Sequence, residues 1–161
     1  MLYVSDRQSP ASPPLLIRAI EPRDDAEACV LIEQLGYERT LEEVTAWIRA
    51  LPQRAEYQSA FVACIEDRVV GWIEISIEHR LQSSPYALIG GLVVKEGYRN
   101  QQIGLRLCEH AEAWGWEHGV PLVRVTSRST RPDAHRFYLR NGYQLTKISH
   151  IFEKRSPLEK P

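Results

Sequence analysis

Hydrophobic and polar positions change rhythm several times along this chain, and each change marks an element. "LLIRAI" (Leu15–Ile20) alternates as a strand. "EPRDDAEACVLIEQLG" then takes helical spacing, with Asp24 and Glu27 at capping-box distance and Gly36 as a stop. In "TLEEVTAWIRAL", Thr40 and Glu43 repeat that spacing, while Val44, Trp47, Ile48 and Leu51 form one apolar stripe, a pattern more often core than binding face. "SAFVACIEDRVVGWIEISIEHR" reads as two strands around Glu66–Asp67–Arg68. In the second of these, Trp72, Glu74, Ser76 and Glu78 share one face, and Gly71, Ile73, Ile75 and Ile77 the other. "YALIGGLVV" is almost wholly apolar, as a central strand covered on both faces should be, and Gly90 with Gly91 predicts a bulge or a close backbone approach.

"VVKEGYRNQQIGLRL" (Val93–Leu107) is a strand, a turn and a helix start, and the helix of about 16 residues is flagged by Ile103, Leu107, Ala111 and Trp114. "VPLVRVTSR" is a further strand. "RPDAHRFYLRNGY" is a short helix opened by Pro132 and stopped at Asn141–Gly142, and "YQLTKISHIFEK" alternates as a last strand. The order β-α-α-β-β-β-α-β-α-β predicts a mixed α/β single domain over residues 15–153. An extended, proline-rich lead-in (1–14) precedes it and a loose tail (154–161) follows.

Composition removes several function classes. A net charge of -1 gives no general attraction to nucleic acid or anionic membrane. No apolar run approaches the roughly 20 residues of a membrane helix, and the N-terminus does not read as a secretory signal. Cys29, Cys64 and Cys108 are widely spaced among apolar neighbours, which predicts buried thiols and fits a cytoplasmic protein. The five histidines show neither HExxH nor clustered spacing, so no metal site is expected.

The turn before the long helix holds the candidate chemistry. Arg99 through Gly104 offers successive amides at a helix N-terminus, a cation, and a glycine that permits close approach. On spacing alone it reads more readily as a connector, because neither GxGxxG nor GxxxxGK[ST] is satisfied. Its context decides. "LVVKEGYRNQQIGLRL" and, downstream, "VTSRSTRPDAHRFYLRNGYQL" together resemble the GNAT superfamily of N-acetyltransferases. The signature loop [QR]-x-x-G-x-[GA] is matched by "RNQQIG" at Arg99 and Gly104 and departs at Gln102.

That resemblance implies a mixed, mostly antiparallel twisted sheet of six to seven strands flanked by about four helices. It also implies acetyl-coenzyme A as acetyl donor and a small-molecule or peptide amine as acceptor. Backbone groups of Leu92 and Val94 would pair with the pantetheine arm as an added strand, with an oxyanion donor near Val93. The amides of Arg99, Asn100, Gln101, Gln102, Ile103, Gly104 and Leu105 would hold the pyrophosphate. Gln102, standing for glycine, could still donate its amide if its φ is negative. Arg131 stands where the family often has asparagine, and its cation would meet a cofactor phosphate or carbonyl.

Tyr138 matches the tyrosine that protonates the departing thiolate in many relatives; its bland alternative is a half-buried packing residue. Glu74 and Glu78 are candidate bases for the acceptor ammonium, against the alternative of a solvated strand face. A glutamate base that some relatives keep in the fourth strand is Leu88 here. Trp114 and Trp116 fall on opposite sides of the long helix, one for the core and one for a partner, which leaves a homodimer open. The rival function is a non-catalytic acetyl-coenzyme A sensor or interaction module on the same fold.

Overall fold

The structure, a computed structural model, describes residues 13–158, so most of the expected lead-in and the last three residues of the tail lie outside it. The chain divides into two compact units, before and after Thr126. The first holds β1 (Leu15–Ala19), α1 (Asp25–Leu35), α2 (Leu41–Ala50), β2 (Gln58–Ile65), β3 (Arg68–Arg80), β4 (Ser83–Val94), α3 (Ile103–Glu117) and β5 (Val123–Val125). The strands lie in the order β1-β2-β3-β4-β5. The first three pairings are antiparallel and β4–β5 is parallel, because α3 carries the chain back across the sheet before β5 begins.

Local sequence explains most boundaries. Glu66 and Asp67 both take positive φ (50° and 61°), the backbone of a tight two-residue hairpin between β2 and β3. The Thr40 hydroxyl accepts from Glu43 N–H (3.2 Å) and Glu43 accepts from Thr40 N–H (3.0 Å), closing the expected capping box on α2. Gly36 ends α1 at φ 98°. The box expected at Asp24 and Glu27 does not form. Asp24 closes a 3-10 turn (Pro22–Asp24) ahead of α1 and binds Arg18 of β1, while Glu27 accepts from Arg68 and from Val69 N–H. Partners brought by the sheet displaced the local pairing.

The two faces of the sheet are built differently. On one, α3 lays Ile103, Leu107 and Ala111 over Ile73, Ile75 and Ile89, all essentially closed to solvent. Each of these isoleucine and leucine side chains contributes about 1.5–3 kcal/mol by burial. Gly71 lets the helix sit this close, since a Cβ there would stand 3.2 Å from Leu107 Cδ1. On the other face, Leu31 of α1 joins Val62 and Val93, and Ala28 joins Val44 and Ile48 of α2; Trp72 packs against both groups. Cys64 and Cys108 are buried and Cys29 half-buried. Trp114 is half-buried against His118 and Trp116 is exposed.

The second unit contains α4 (Pro132–Arg140), with Pro132 in its first turn. The expected last strand does not appear: residues 143–154 have no regular structure, and the described sheet has five strands rather than six or seven. Alternation prepares a strand, but a paired neighbour must satisfy its N–H and C=O groups, and this unit holds no second strand among the described residues.

Candidate functional site

The site begins where β4 loses a neighbour. β5 pairs with it only across Ala87↔Val123, Leu88↔Arg124 and Ile89↔Val125. Beyond Ile89, β4 keeps β3 on one edge and has no strand on the other among the described residues. At that point Glu74 faces Gly91 and Ile75 faces Ile89, leaving Gly90 as the extra residue of a bulge. The bulge inverts the alternation of the strand. Ahead of it, Ala87 N–H reaches toward β5, to Leu122 O (2.9 Å); after it, Lys95 N–H reaches toward β3, to Val70 O (2.7 Å). Val93 therefore turns its N–H to β3, and Leu92 and Val94 turn theirs to the open edge.

Leu92 and Val94 thus face as an added strand would require. Val93 does not: its backbone serves β3 and its side chain is buried with Leu31 and Val62. One group on the open edge is already engaged. Gln34 of α1 donates from Nε2 to Val94 O (2.8 Å) and accepts from Glu96 N–H at Oε1 (2.9 Å), a side chain imitating one rung of a ladder.

The turn before α3 is wound tightly. Tyr98 N–H bonds Lys95 O (3.0 Å), and Asn100 and Gln102 sit at φ 64° and 61°. The condition attached to Gln102 is therefore not met: it holds the left-handed conformation a glycine would take freely, at about 1–2 kcal/mol. Arg106 N–H is the first to bond back, to Gln102 O (3.0 Å). The amides of Gln102, Ile103, Gly104 and Leu105 precede that bond, at the positive end of the helix dipole. Arg99, Asn100, Gln101 and Gln102 are exposed, whereas the Ile103 side chain is buried and anchors the helix.

In the second unit, Arg131 is the exposed N-cap of α4. Tyr138 is half-buried, with its ring 5.2 Å from that of Phe137 and 5.4 Å from that of Tyr143.

Beside the bulge lies a cavity of about 360 Å³ under α1 and α2. Its floor is Trp72 and Glu74 of β3 laid across Gly90 and Gly91 of β4. The two glycines leave different room: beside Gly90 the neighbour is the flexible end of a carboxylate, beside Gly91 a rigid ring. A Cβ at Gly90 would stand 2.7 Å from Glu74 Oε1, and one at Gly91 2.7 Å from the Trp72 ring. Glu74 makes no hydrogen bond or ion pair among the described residues. Burial pushes its carboxyl above the usual range, and the Arg54 guanidinium offsets this only in part. Arg54 itself stacks over Trp47 (5.2 Å) and donates to Trp47 O (3.2 Å). Two buried donors here lack an acceptor, Arg54 Nε and Trp72 Nε1. Glu78 differs from Glu74: Ser76 (2.9 Å) and Arg80 (3.4 Å) both donate to it, as on a solvated face.

Arg54 and Gln34 carried no signal in the sequence, since each resembles an ordinary surface residue. Trp47 and Trp72 were visible as members of a stripe and a strand face, without any sign that they bound a cavity.

Residues 23–143 match the GNAT acetyltransferase family. The chain belongs to that family. This GNAT chain is 38% identical over 77 residues to the aminoalkylphosphonate N-acetyltransferase of Salmonella typhimurium, a stretch covering 47% of this chain and 50% of that protein. It therefore matches about half the length of this curated relative. Among solved structures it resembles the aminoglycoside N-acetyltransferase AAC(6')-Iy in complex with coenzyme A, at TM-score 0.82 and 19% identity, covering 92% of this chain and 99% of that one. The glucosamine-6-phosphate N-acetyltransferase of Arabidopsis thaliana gives a TM-score of 0.77 at 18% identity, covering 87% and 98%. The mixed α/β fold and the family expected from the two motifs are both borne out. No three His, Cys, Asp or Glu side chains are grouped to hold a metal among the described residues, and no described helix is long and apolar enough to cross a membrane.

Proposed function

We propose that this GNAT protein transfers acetyl from acetyl-coenzyme A to a primary amine of a small molecule or peptide, by direct attack in a ternary complex. The observation that carries this reading is the unpaired Glu74 carboxylate beside the bulge at which β4 loses its neighbour. The open edge suits an amide-bearing arm, with Leu92 and the N–H of Val94 as partners, and the amides from Ile103 to Leu105 suit a pyrophosphate. Arg99, Asn100 and Gln101 line that turn, and Arg131 is assigned to the cofactor by resemblance alone. The thioester supplies an activated acyl group; the chain's task is to manage two protons.

Glu74, held above the usual carboxylate range, takes the proton that the acceptor ammonium must lose before its nitrogen can attack. Leu92 N–H, rather than one near Val93, is the donor assigned to the developing oxyanion. Tyr138 returns a proton to the departing thiolate, a role that rests on the resemblance of its helix. Calorimetry with acetyl-coenzyme A, coenzyme A and ATP, paired with turnover assays, tests the reading. Glu74→Gln and Tyr138→Phe should keep cofactor affinity and lose turnover. Tight binding of the thioester by wild-type protein with no transfer to any amine would overturn catalysis in favour of a sensor.

A further inference from the structure

The cavity wall carries information about the acceptor. Ile32 and Leu35 of α1, with Val44, Trp47 and Ile48 of α2, close it above the floor, and the charged side chains lining it are Arg39 and Glu74. Those two are not equivalent. Arg39 Nε is bonded to Glu43 (3.0 Å), so its charge is matched, while Glu74 has no ion-pair partner among the described residues. The cavity therefore presents one charge without an ion-pair partner, a carboxylate that Arg54 offsets only in part, at the base of a mostly apolar wall that includes two indole rings.

We infer that the acceptor is a primary amine carried on an apolar alkyl or aryl body, seated among Ile32, Trp47 and Trp72 with its nitrogen at Glu74. This rests on the acetyl-transfer reading for the fate of the amine, but not for its binding. An ammonium loses its water to a carboxylate that has no ion-pair partner among the described residues, and the body behind it exchanges water for a wall that is mostly aliphatic and aromatic, in which Trp72 Nε1 is the buried donor without an acceptor. A polyhydroxylated amine would surrender many hydrogen bonds to a wall that returns few. A phosphonate or phosphate would bring a second anion toward Glu74, with a guanidinium already committed to Glu43 as its cationic partner. The relatives named above act on phosphonate-bearing, aminoglycoside and phosphosugar amines, so this cavity separates the chain from them.

Tryptophan fluorescence of the whole protein, with and without coenzyme A, would be followed on titration with 2-phenylethylamine, hexylamine, 2-aminoethylphosphonate and neamine. The two apolar amines should bind roughly a hundredfold more tightly than the two polar ones. Glu74→Gln, and separately Ile32→Gln in the wall, should each weaken 2-phenylethylamine at least about tenfold. Tighter binding of the phosphonate or neamine, or an affinity for 2-phenylethylamine unmoved by Glu74→Gln, would overturn the inference. Acetylation of the same amines separates the two readings. Apolar amines that bind through Glu74 but are never acetylated would refute transfer and leave the cavity assignment standing. Acetylation of the phosphonate in preference to the apolar amines would refute the cavity assignment and leave transfer standing.

Discussion

Two carboxylates drawn in from solvent, Asp24 and Glu74, have opposite fates. Asp24 is 3% exposed, and both of its oxygens accept hydrogen bonds. Arg18 donates to both oxygens (2.7 and 2.8 Å), and Glu21 N–H adds a third bond (2.8 Å). Burial by itself would push the Asp24 carboxyl up, yet these bonds more than offset it and hold it below the usual range. Glu74 is also desolvated, with only the pull of Arg54 against it, so it rises. One carboxylate ties the start of α1 to β1. The other lies beside the bulge of β4 with no ion-pair partner among the described residues. The difference lies in partners, not in burial.

The sharpest way to break that contrast is to remove each proton site in turn. Glu74→Gln should lower kcat/KM for amine acetylation by about 10²–10³-fold, with folding intact. A neutral side chain in place of a desolvated carboxylate should also raise the stability of the fold near neutral pH. Because the folded-state pKa of Glu74 is raised, its favourable contribution is present below the unfolded value and lost as pH rises through the folded one. The stabilisation by Glu74→Gln should therefore fade in acid, and the wild-type rate should climb as pH rises through the raised pKa.

Asp24→Asn should do the reverse, costing about 3 kcal/mol in urea unfolding while leaving turnover per folded molecule unchanged. Its folded pKa is lowered, so the loss should be full above the usual carboxylate value and vanish as pH falls through the folded value. A pH profile of unfolding for both variants would collapse the comparison if the two differences ran in the same direction. A milder perturbation is Gly90→Ala, whose Cβ would displace Glu74 Oε1. It should reduce kcat/KM about tenfold through misplacement, with Asp24-dependent acid unfolding untouched. Smallest is Gln102→Gly, which removes left-handed strain and should add about 1 kcal/mol of stability in urea. No titratable group is involved there, so the gain should be the same at every pH.

Much of the fold was legible along the chain because it depends on short-range pattern. The apolar stripes of α1, α2 and α3, the box at Thr40, the hairpin at Glu66–Asp67 and the bulge announced by Gly90 and Gly91 all follow from spacing and conformational preference. Patterns failed where a distant partner outbid a near one. Asp24 met Arg18 instead of capping a helix with Glu27, and residues 143–154 alternated without a strand to pair with.

The sequence by itself determined the family, through two motifs in order, and favoured Glu74 over Glu78 as the candidate base on a shared strand face. Tertiary structure set their surroundings apart. Glu78 found Ser76 and Arg80, whereas Glu74 lay over Gly90 beneath α1 and α2, where water is displaced and no partner replaces it. Likewise only the bulge could decide that Leu92, and not Val93, faces the open edge, since one inserted residue reverses the direction of every N–H beyond it. Solvation and register are properties of what surrounds a residue, and neither is written at its own position in the chain.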